Sequence, residues 1–240
     1  MKTALITGAS GGIGLAMTDL FLESGYSVVA HSRGPSKELQ ALARDHGHHL
    51  TLIRGDFSSV KGIEAFLKVL KRKAPTVDVL VNNAGLIAGA APFTSIKATS
   101  LEAVFSVNFK APFLLSQYCL PAMKHRGWGR IINISSVGVK FGGSSQTAHY
   151  SAAKAALEAL TRSLSKEGAP RGVLVNTLRI GVTDTALHRS VPGKKMAARR
   201  KLIPLGRMAH PTEIAEAALF LASEESSFVA GSVLEATGGE

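Results

Sequence analysis

The sequence predicts a doubly wound α/β fold, a seven-stranded parallel sheet with helices on both faces. Three observations predict it. Short runs rich in β-branched residues alternate with longer helical stretches, the pattern of βαβ units. The first run opens directly into a glycine-rich turn that leads into a helix. Hydrophobic residues make up 45% of the chain but aromatics only 6%, so Ala, Val, Leu and Gly supply most of the core, as close packing of helices on a sheet requires.

Taken in order, the first strand is expected at 3–7, ending at the glycine turn, with a helix at 12–24. A strand at 27–31 (Ser-Val-Val-Ala-His) precedes a helix at 36–46. A strand at 50–54 precedes one at 59–73, and a strand at 77–81 precedes a long helical stretch at 100–125. The most apolar run, 129–134 (Gly-Arg-Ile-Ile-Asn-Ile), is followed by a helix at 149–167. A strand at 173–178, a helix at 211–223 and a strand at 232–235 complete the set. In such sheets ligands bind beyond the carboxyl ends of the strands, so the chemistry is expected there.

The 240 residues suffice for one large domain, and no internal repeat or linker divides them. No run of eighteen apolar residues occurs, so no membrane span is expected. The start of the chain reaches a glycine turn too soon for a signal peptide, and Cys119 is the only cysteine. A cytoplasmic protein without disulfide or metal cluster is expected. The formal charge is +11. The densest cations, Lys194-Lys195 with Arg199-Arg200-Lys201 and Lys68, Lys71, Arg72 and Lys73, are not interleaved with stacking aromatics. They read as solvated helix faces or as attraction for an anionic cofactor or substrate, and not as a nucleic-acid surface.

The turn after the first strand reads Thr7-Gly8-Ala9-Ser10-Gly11-Gly12-Ile13-Gly14. Glycines permit the tight turn and let backbone approach a pyrophosphate at the helix N-terminus. The second strand ends His31-Ser32-Arg33, with nothing acidic before Glu38. A ribose 2′-hydroxyl calls for a carboxylate there, a 2′-phosphate for a cation. Arg33 therefore favours NADP(H) over NAD(H), with Ser32 or His31 as hydrogen-bond donors.

Tyr150 and Lys154 are four apart at the head of a helical run, which puts both on one helix face. An ammonium beside a phenol lowers the phenol's pKa from about 10 toward working range. Ser136, closing the fifth strand, can hold a substrate oxygen. His149 points about 100° away from Tyr150 and is expected to be structural.

With these motifs in this order, the chain resembles the short-chain dehydrogenase/reductase family in its compact single-domain form over 1–240. The turn matches its cofactor motif, Asn82-Asn83-Ala84-Gly85 its signature after the fourth strand, and Ser136 with Tyr150 and Lys154 its catalytic motif; the likeness runs on to Phe220-Leu221-Ala222-Ser223 and Gly238-Gly239. The resemblance implies a Rossmann-type domain in which Tyr150 is the general acid/base and Ser136 orients the carbonyl. It implies that Lys154 also binds the nicotinamide ribose and that Asn108 completes a proton relay through water. It further implies cofactor contacts by Gly8, Ser10, Gly12, Ile13 and Gly14, by Ser32 and Arg33, by Asp56 and Phe57, by Asn83, Ala84 and Gly85, and by Gly181, Val182, Thr183 and Thr185, besides Tyr150 and Lys154. Two departures stand out: Ile180 occupies the place of the family's proline before Gly181, and Gly11 stands where NADP-preferring relatives often carry a basic residue.

The substrate expected is a small carbonyl or alcohol. The resemblance extends equally to 3-oxoacyl-carrier-protein reductases and to NAD-dependent sugar or polyol dehydrogenases; an acyl thioester on an acidic carrier would suit the basic balance and an Arg171 near the pocket rim, although Ala169-Pro170-Arg171-Gly172 reads more readily as a surface loop. Segment 185–205 is expected to form a substrate lid, with Leu187, Val191, Met196, Leu202 and Leu205 lining the pocket or packing the lid down. Apolar residues on more than one face of 100–125 and 149–167 predict a homodimer or homotetramer through these helices. Epimerase or dehydratase chemistry would need room for an added substrate domain, and a non-catalytic nucleotide sensor would not need Ser136, Tyr150 and Lys154 together.

Overall fold

The computed structural model describes residues 1–89, 91–186 and 193–240. Strands β1 (Thr3–Ile6), β2 (Ser27–Ser32), β3 (Leu50–Arg54), β4 (Val79–Asn82), β5 (Gly129–Ser136), β6 (Val173–Ile180) and β7 (Val233–Ala236) form one sheet in the order β3-β2-β1-β4-β5-β6-β7. Every pairing is parallel. The connections run one way from β1 to β3 and the other way from β4 to β7, so the switch point lies between β1 and β4, where such sheets open a crevice.

Alternation along the strands sends side chains to two cores. One face carries Ala4, Ile6, Val28, Ala30, Val81, Ile132 and Leu178, covered by α1 (Gly12–Glu23) and a helix at Pro211–Ala222. In α1 the buried positions are Gly14, Met17, Thr18, Phe21 and Leu22, the stripe a helix needs to lie on a sheet. The other face carries Leu5, Val29, Leu80, Ile131 and Val175. It meets Ile63, Phe66 and Leu70 of the helix Val60–Lys73 and Leu115, Cys119 and Met123 of the helix Ala111–Arg126. Full burial of such side chains contributes roughly 1.5–3 kcal/mol each.

In chain order the helices between are α2 (Lys37–His46), α3 (Val60–Lys73), α4 (Ala98–Phe105), α5 (Ala111–Arg126), α6 (Gly138–Phe141), α7 (Ala148–Gly168), α8 (Gly193–Arg200) and α9 (Pro211–Ala222). The helix expected at 100–125 is interrupted by a π-helical segment, Ser106–Lys110. Two residues account for it. Pro112 offers no N–H to the Asn108 carbonyl four residues back, and the Asn108 Nδ2 donates to the Val104 carbonyl at 2.8 Å. Strands β5 and β6 run two residues beyond their expected ends because Ser135 and Ser136 pair in register with Arg179 and Ile180. Isoleucine at 180 keeps the N–H that a proline would lack. Its carbonyl accepts from Val137 N–H at 2.8 Å.

Of the expected lid, Leu187 and Val191 lie outside the described residues. Residues 193–200 form α8, where no helix was expected. Met196 is buried with Val182 and Ile203, whereas Leu202 and Leu205 are exposed.

Candidate active site

The glycine turn is held from two sides. Gly8 has φ +69°, and its N–H donates to His31 Nδ1 at 3.2 Å, while His31 Nε2 lies 3.0 Å from the Gly55 carbonyl. Nδ1 accepts, so the ring proton sits on Nε2. The ring stacks on Phe57 at 3.9 Å, and burial pushes its pKa down to about 4. His31 is thus a neutral brace, which corrects its reading as a donor to phosphate. From the other side, the Asn83 Nδ2 donates to the Thr7 and Gly8 carbonyls at 2.9 and 3.2 Å. The Thr7 hydroxyl accepts from the N–H groups of Asn83 and Ala84. A Cβ on Gly14 would stand 2.1 Å from the Gly8 carbonyl oxygen, so no larger residue fits there.

In front of this brace the site is open. Gly11 caps α1 with no side-chain hydrogen bond, and a Cβ there would meet nothing within 4 Å. Ser10 is exposed, and its carbonyl accepts from the Ser36 hydroxyl at 3.0 Å. At the end of β2, Ser32 is buried with its hydroxyl on the Gly34 carbonyl. Arg33 is exposed and makes no hydrogen bond or ion pair among the described residues. Asp56 accepts from the Ser58 N–H and hydroxyl, which hold its carboxyl below the usual range. Phe57 is buried in the core, so only its backbone can face a ligand.

Beyond the carboxyl ends of β5 and β6 lies a cleft of about 530 Å³. It brings together Ile13, Ser136, Tyr150, Gly181, Val182, Thr183 and Thr185 of the expected set. Gly12 joins it from the glycine turn, since a Cβ there would stand 2.9 Å from Thr185 Cγ2. The loop after β6 is pinned by Gly181 N–H on the Ala236 carbonyl, Ala209 N–H on the Val182 carbonyl and Asp184 N–H on the Ala209 carbonyl. These bonds fix the loop without the family's proline.

Tyr150 and Lys154 share a face of α7: the ammonium lies 5.8 Å from the phenol ring centroid. Lys154 is buried behind the cleft wall, donating to the Ile134 carbonyl at 2.7 Å, and burial pushes it down to about 8. Tyr150 departs from expectation. Burial raises its pKa, and a hydrogen bond with Ser136 pulls only partly against this. Desolvation of the phenolate thus sets the direction.

Asn108 is buried with its amide consumed. Nδ2 donates to the Leu86 and Val104 carbonyls, and Oδ1 accepts from Leu86 N–H at 3.3 Å. It therefore secures the loop after β4, in which a Cβ on Gly85 would stand 3.5 Å from Asn108 Oδ1. His149 is buried and absent from the cleft, as its 100° offset implies. Arg171 is exposed just before the amino end of β6. An eight-residue strand spans about 26 Å, so Arg171 stands at the opposite end of the sheet from the cleft, a surface loop residue and not a rim residue.

Sequence reading missed one group altogether. Arg179, on β6, donates from Nε and Nη2 to both oxygens of Glu158 on α7 at 2.9 and 2.7 Å. Glu158 also accepts from the Ser135 hydroxyl at 2.7 Å. The clamp ties Ser135, neighbour of Ser136, to the helix that carries Tyr150 and Lys154.

Comparison with known proteins agrees with this geometry. A family model described as enoyl-(acyl carrier protein) reductase matches residues 8–240. The chain is 35% identical over 240 residues to a 3-oxoacyl-[acyl-carrier-protein] reductase of Vibrio harveyi, covering 99% of this chain and 96% of that one. It is also 35% identical to an acetoacetyl-CoA reductase of Rhizobium meliloti, covering 100% and 98%. A solved structure of a 3-oxoacyl (acyl-carrier-protein) reductase from Agrobacterium tumefaciens, with NADP bound, superposes with a TM-score of 0.90 at 31% identity, covering 100% of this chain and 94% of that one. The chain belongs to the short-chain dehydrogenase/reductase family.

Proposed function

We propose that the chain is an NADP(H)-dependent oxidoreductase that interconverts a carbonyl and a secondary alcohol, with 3-oxoacyl thioesters as the leading substrates. The observation that carries this reading is the cleft itself, which presents the Tyr150 phenol and the Ser136 hydroxyl together, with the Lys154 ammonium behind them. Relatives named for reduction of 3-oxoacyl carrier protein and acetoacetyl-CoA support the thioester.

The residues fit a dinucleotide with a 2′-phosphate. An open, uncapped helix N-terminus lies beside Gly11, and an unengaged guanidinium stands at the end of β2 with no carboxylate near it in sequence before Glu38. Reduced nicotinamide, when bound, supplies the hydride. Ser136 donates to the substrate oxygen and holds it beside Tyr150. Tyr150 then gives that oxygen its proton as negative charge develops there. The raised pKa keeps the phenol protonated at neutral pH, as an acid for reduction must be. Lys154 supplies the positive potential that the emerging phenolate needs. Asn108 contributes to proton return through its backbone carbonyl, to which Pro112, four residues on, offers no N–H.

In the same reading the chain forms a homodimer or homotetramer through α4, α5 and α7. Leu101 and Phe113 are 41% and 42% exposed, and Ala152, Ala155 and Ala159 form an exposed stripe along α7.

The cofactor reading is tested by following NADPH and NADH consumption with an acetoacetyl thioester. NADPH is expected to react faster. Arg33→Ala is expected to cost NADPH roughly ten- to a hundredfold in kcat/KM, the worth of a charged hydrogen bond of about 1.5–3 kcal/mol, while leaving NADH nearly unchanged. Faster turnover of NADH by the unmodified protein would overturn the assignment.

A further inference from the structure

Among the described residues, the only charged side chains lining the cleft are Arg199 of α8 and Glu240, in the turn that follows β7. They face each other. Arg199 Nη2 donates to Glu240 Oε2 at 2.7 Å, and Nη1 lies against Oε1. Nη1 is buried in that contact, so both ends of the fork are engaged by the one carboxylate. The Glu240 side chain is only 5% exposed and that of Arg199 30%. Glu240 is held in place through its backbone, whose oxygen accepts from Lys140 Nζ at 2.8 Å and from the Thr237 hydroxyl at 3.1 Å.

The pair sits in a strongly one-signed stretch of chain. From residue 185 to 212 the sequence holds seven Lys or Arg and no Asp or Glu. Glu240 is thus a carboxylate brought from elsewhere in the chain to a cation that has none of its own nearby in sequence. An arginine fork held by a carboxylate in two-point fashion has the geometry by which proteins bind carboxylates and phosphates of ligands. Here the fork opens into the cleft that holds the phenol. A cationic ligand would have to approach through the positive field of α8, whereas an anionic one is drawn in and needs only to displace Glu240.

We propose that Arg199 is the specificity residue of the substrate cleft: it receives an oxyanion, carboxylate or phosphate, carried by the carbonyl substrate, and Glu240 occupies that seat until the substrate arrives. The proposal rests on the carbonyl-reductase reading for its turnover test, but the seat itself is read by binding.

The test compares matched substrates that differ only in the anionic group, with NADPH saturating: 4-oxopentanoate against its methyl ester for a carboxylate, and dihydroxyacetone phosphate against dihydroxyacetone for a phosphate. Arg199→Gln is expected to lower the charged-over-neutral ratio of kcat/KM at least tenfold, chiefly through KM. Glu240→Gln is expected to raise it severalfold. Arg200→Gln removes the same charge one residue away, outside the cleft, and should change it less than twofold. Whichever pair shows the effect identifies the oxyanion. Equal losses in the Arg199 and Arg200 variants, or a fall in the ratio with Glu240→Gln, would overturn the proposal. Calorimetric titration of the NADP(H)-loaded protein with 4-oxopentanoate and with dihydroxyacetone phosphate separates the two readings. Binding of either that Arg199→Gln abolishes, with no NADPH consumed on any substrate, supports the seat and removes the reductase assignment. Turnover with a ratio blind to Arg199 does the reverse.

Discussion

Tyr150→Phe is expected to lower kcat/KM for NADPH-dependent carbonyl reduction by about 10²–10⁴, the usual worth of a positioned general acid, with little change in stability. The variant removes one oxygen and keeps the ring that packs against the cleft wall. It leaves Ser136 able to hold the substrate oxygen, so binding should suffer less than turnover. Steady-state rates at saturating NADPH, together with the urea midpoint, distinguish loss of the acid from loss of fold. A variant that retains a third or more of the activity would remove Tyr150 from its role.

Arg179→Met is expected to destabilise the fold by about 3 kcal/mol, the lower end of the range for breaking a buried pair. Both side chains are largely buried, at 14% and 5% exposure. Among the described residues, the variant leaves the Glu158 carboxylate with only the Ser135 hydroxyl as a direct partner. Glu235 loses its contact with Arg179 as well, but it is more exposed and keeps Lys140 nearby. Replacing both members of the clamp, Arg179→Met with Glu158→Gln, should cost less than the single change, because no buried charge is then left unpaired. Equilibrium urea unfolding of the two single variants and the double variant measures this. A loss under about 0.5 kcal/mol for Arg179→Met, the scale of an ordinary surface change, would show that the clamp is marginal.

The parts of the site that could be read from sequence are those whose geometry is local. Tyr150 and Lys154 are one helical turn apart, so a shared face follows from helix periodicity alone. The glycine turn announces itself by lying between a strand and a helix. What escaped reading was made by topology. His31, Gly8 and Gly55 come together only because β2 lies beside β1 and β3, and Arg179 meets Glu158 only because α7 packs back on β6. Arg171 could be read as a surface loop residue or a rim residue because nothing in its neighbourhood says at which end of the sheet it falls. The break at Asn108 did have a signal, Pro112 inside an otherwise helical run. The direction of the Tyr150 shift had none, since burial and the Lys154 bond to Ile134 depend on packing.

The claim that a phenol backed by a buried ammonium carries the proton is tested most directly by the pH dependence of kcat/KM for reduction. Lys154 is charged below about 8 and neutral above it, while the phenol, raised above its ordinary value, loses its proton later. The rate should therefore be level near neutral pH and fall about tenfold per unit once pH passes about 8. A plateau that continues to pH 10 would contradict the account, because turnover would then not need the Lys154 charge.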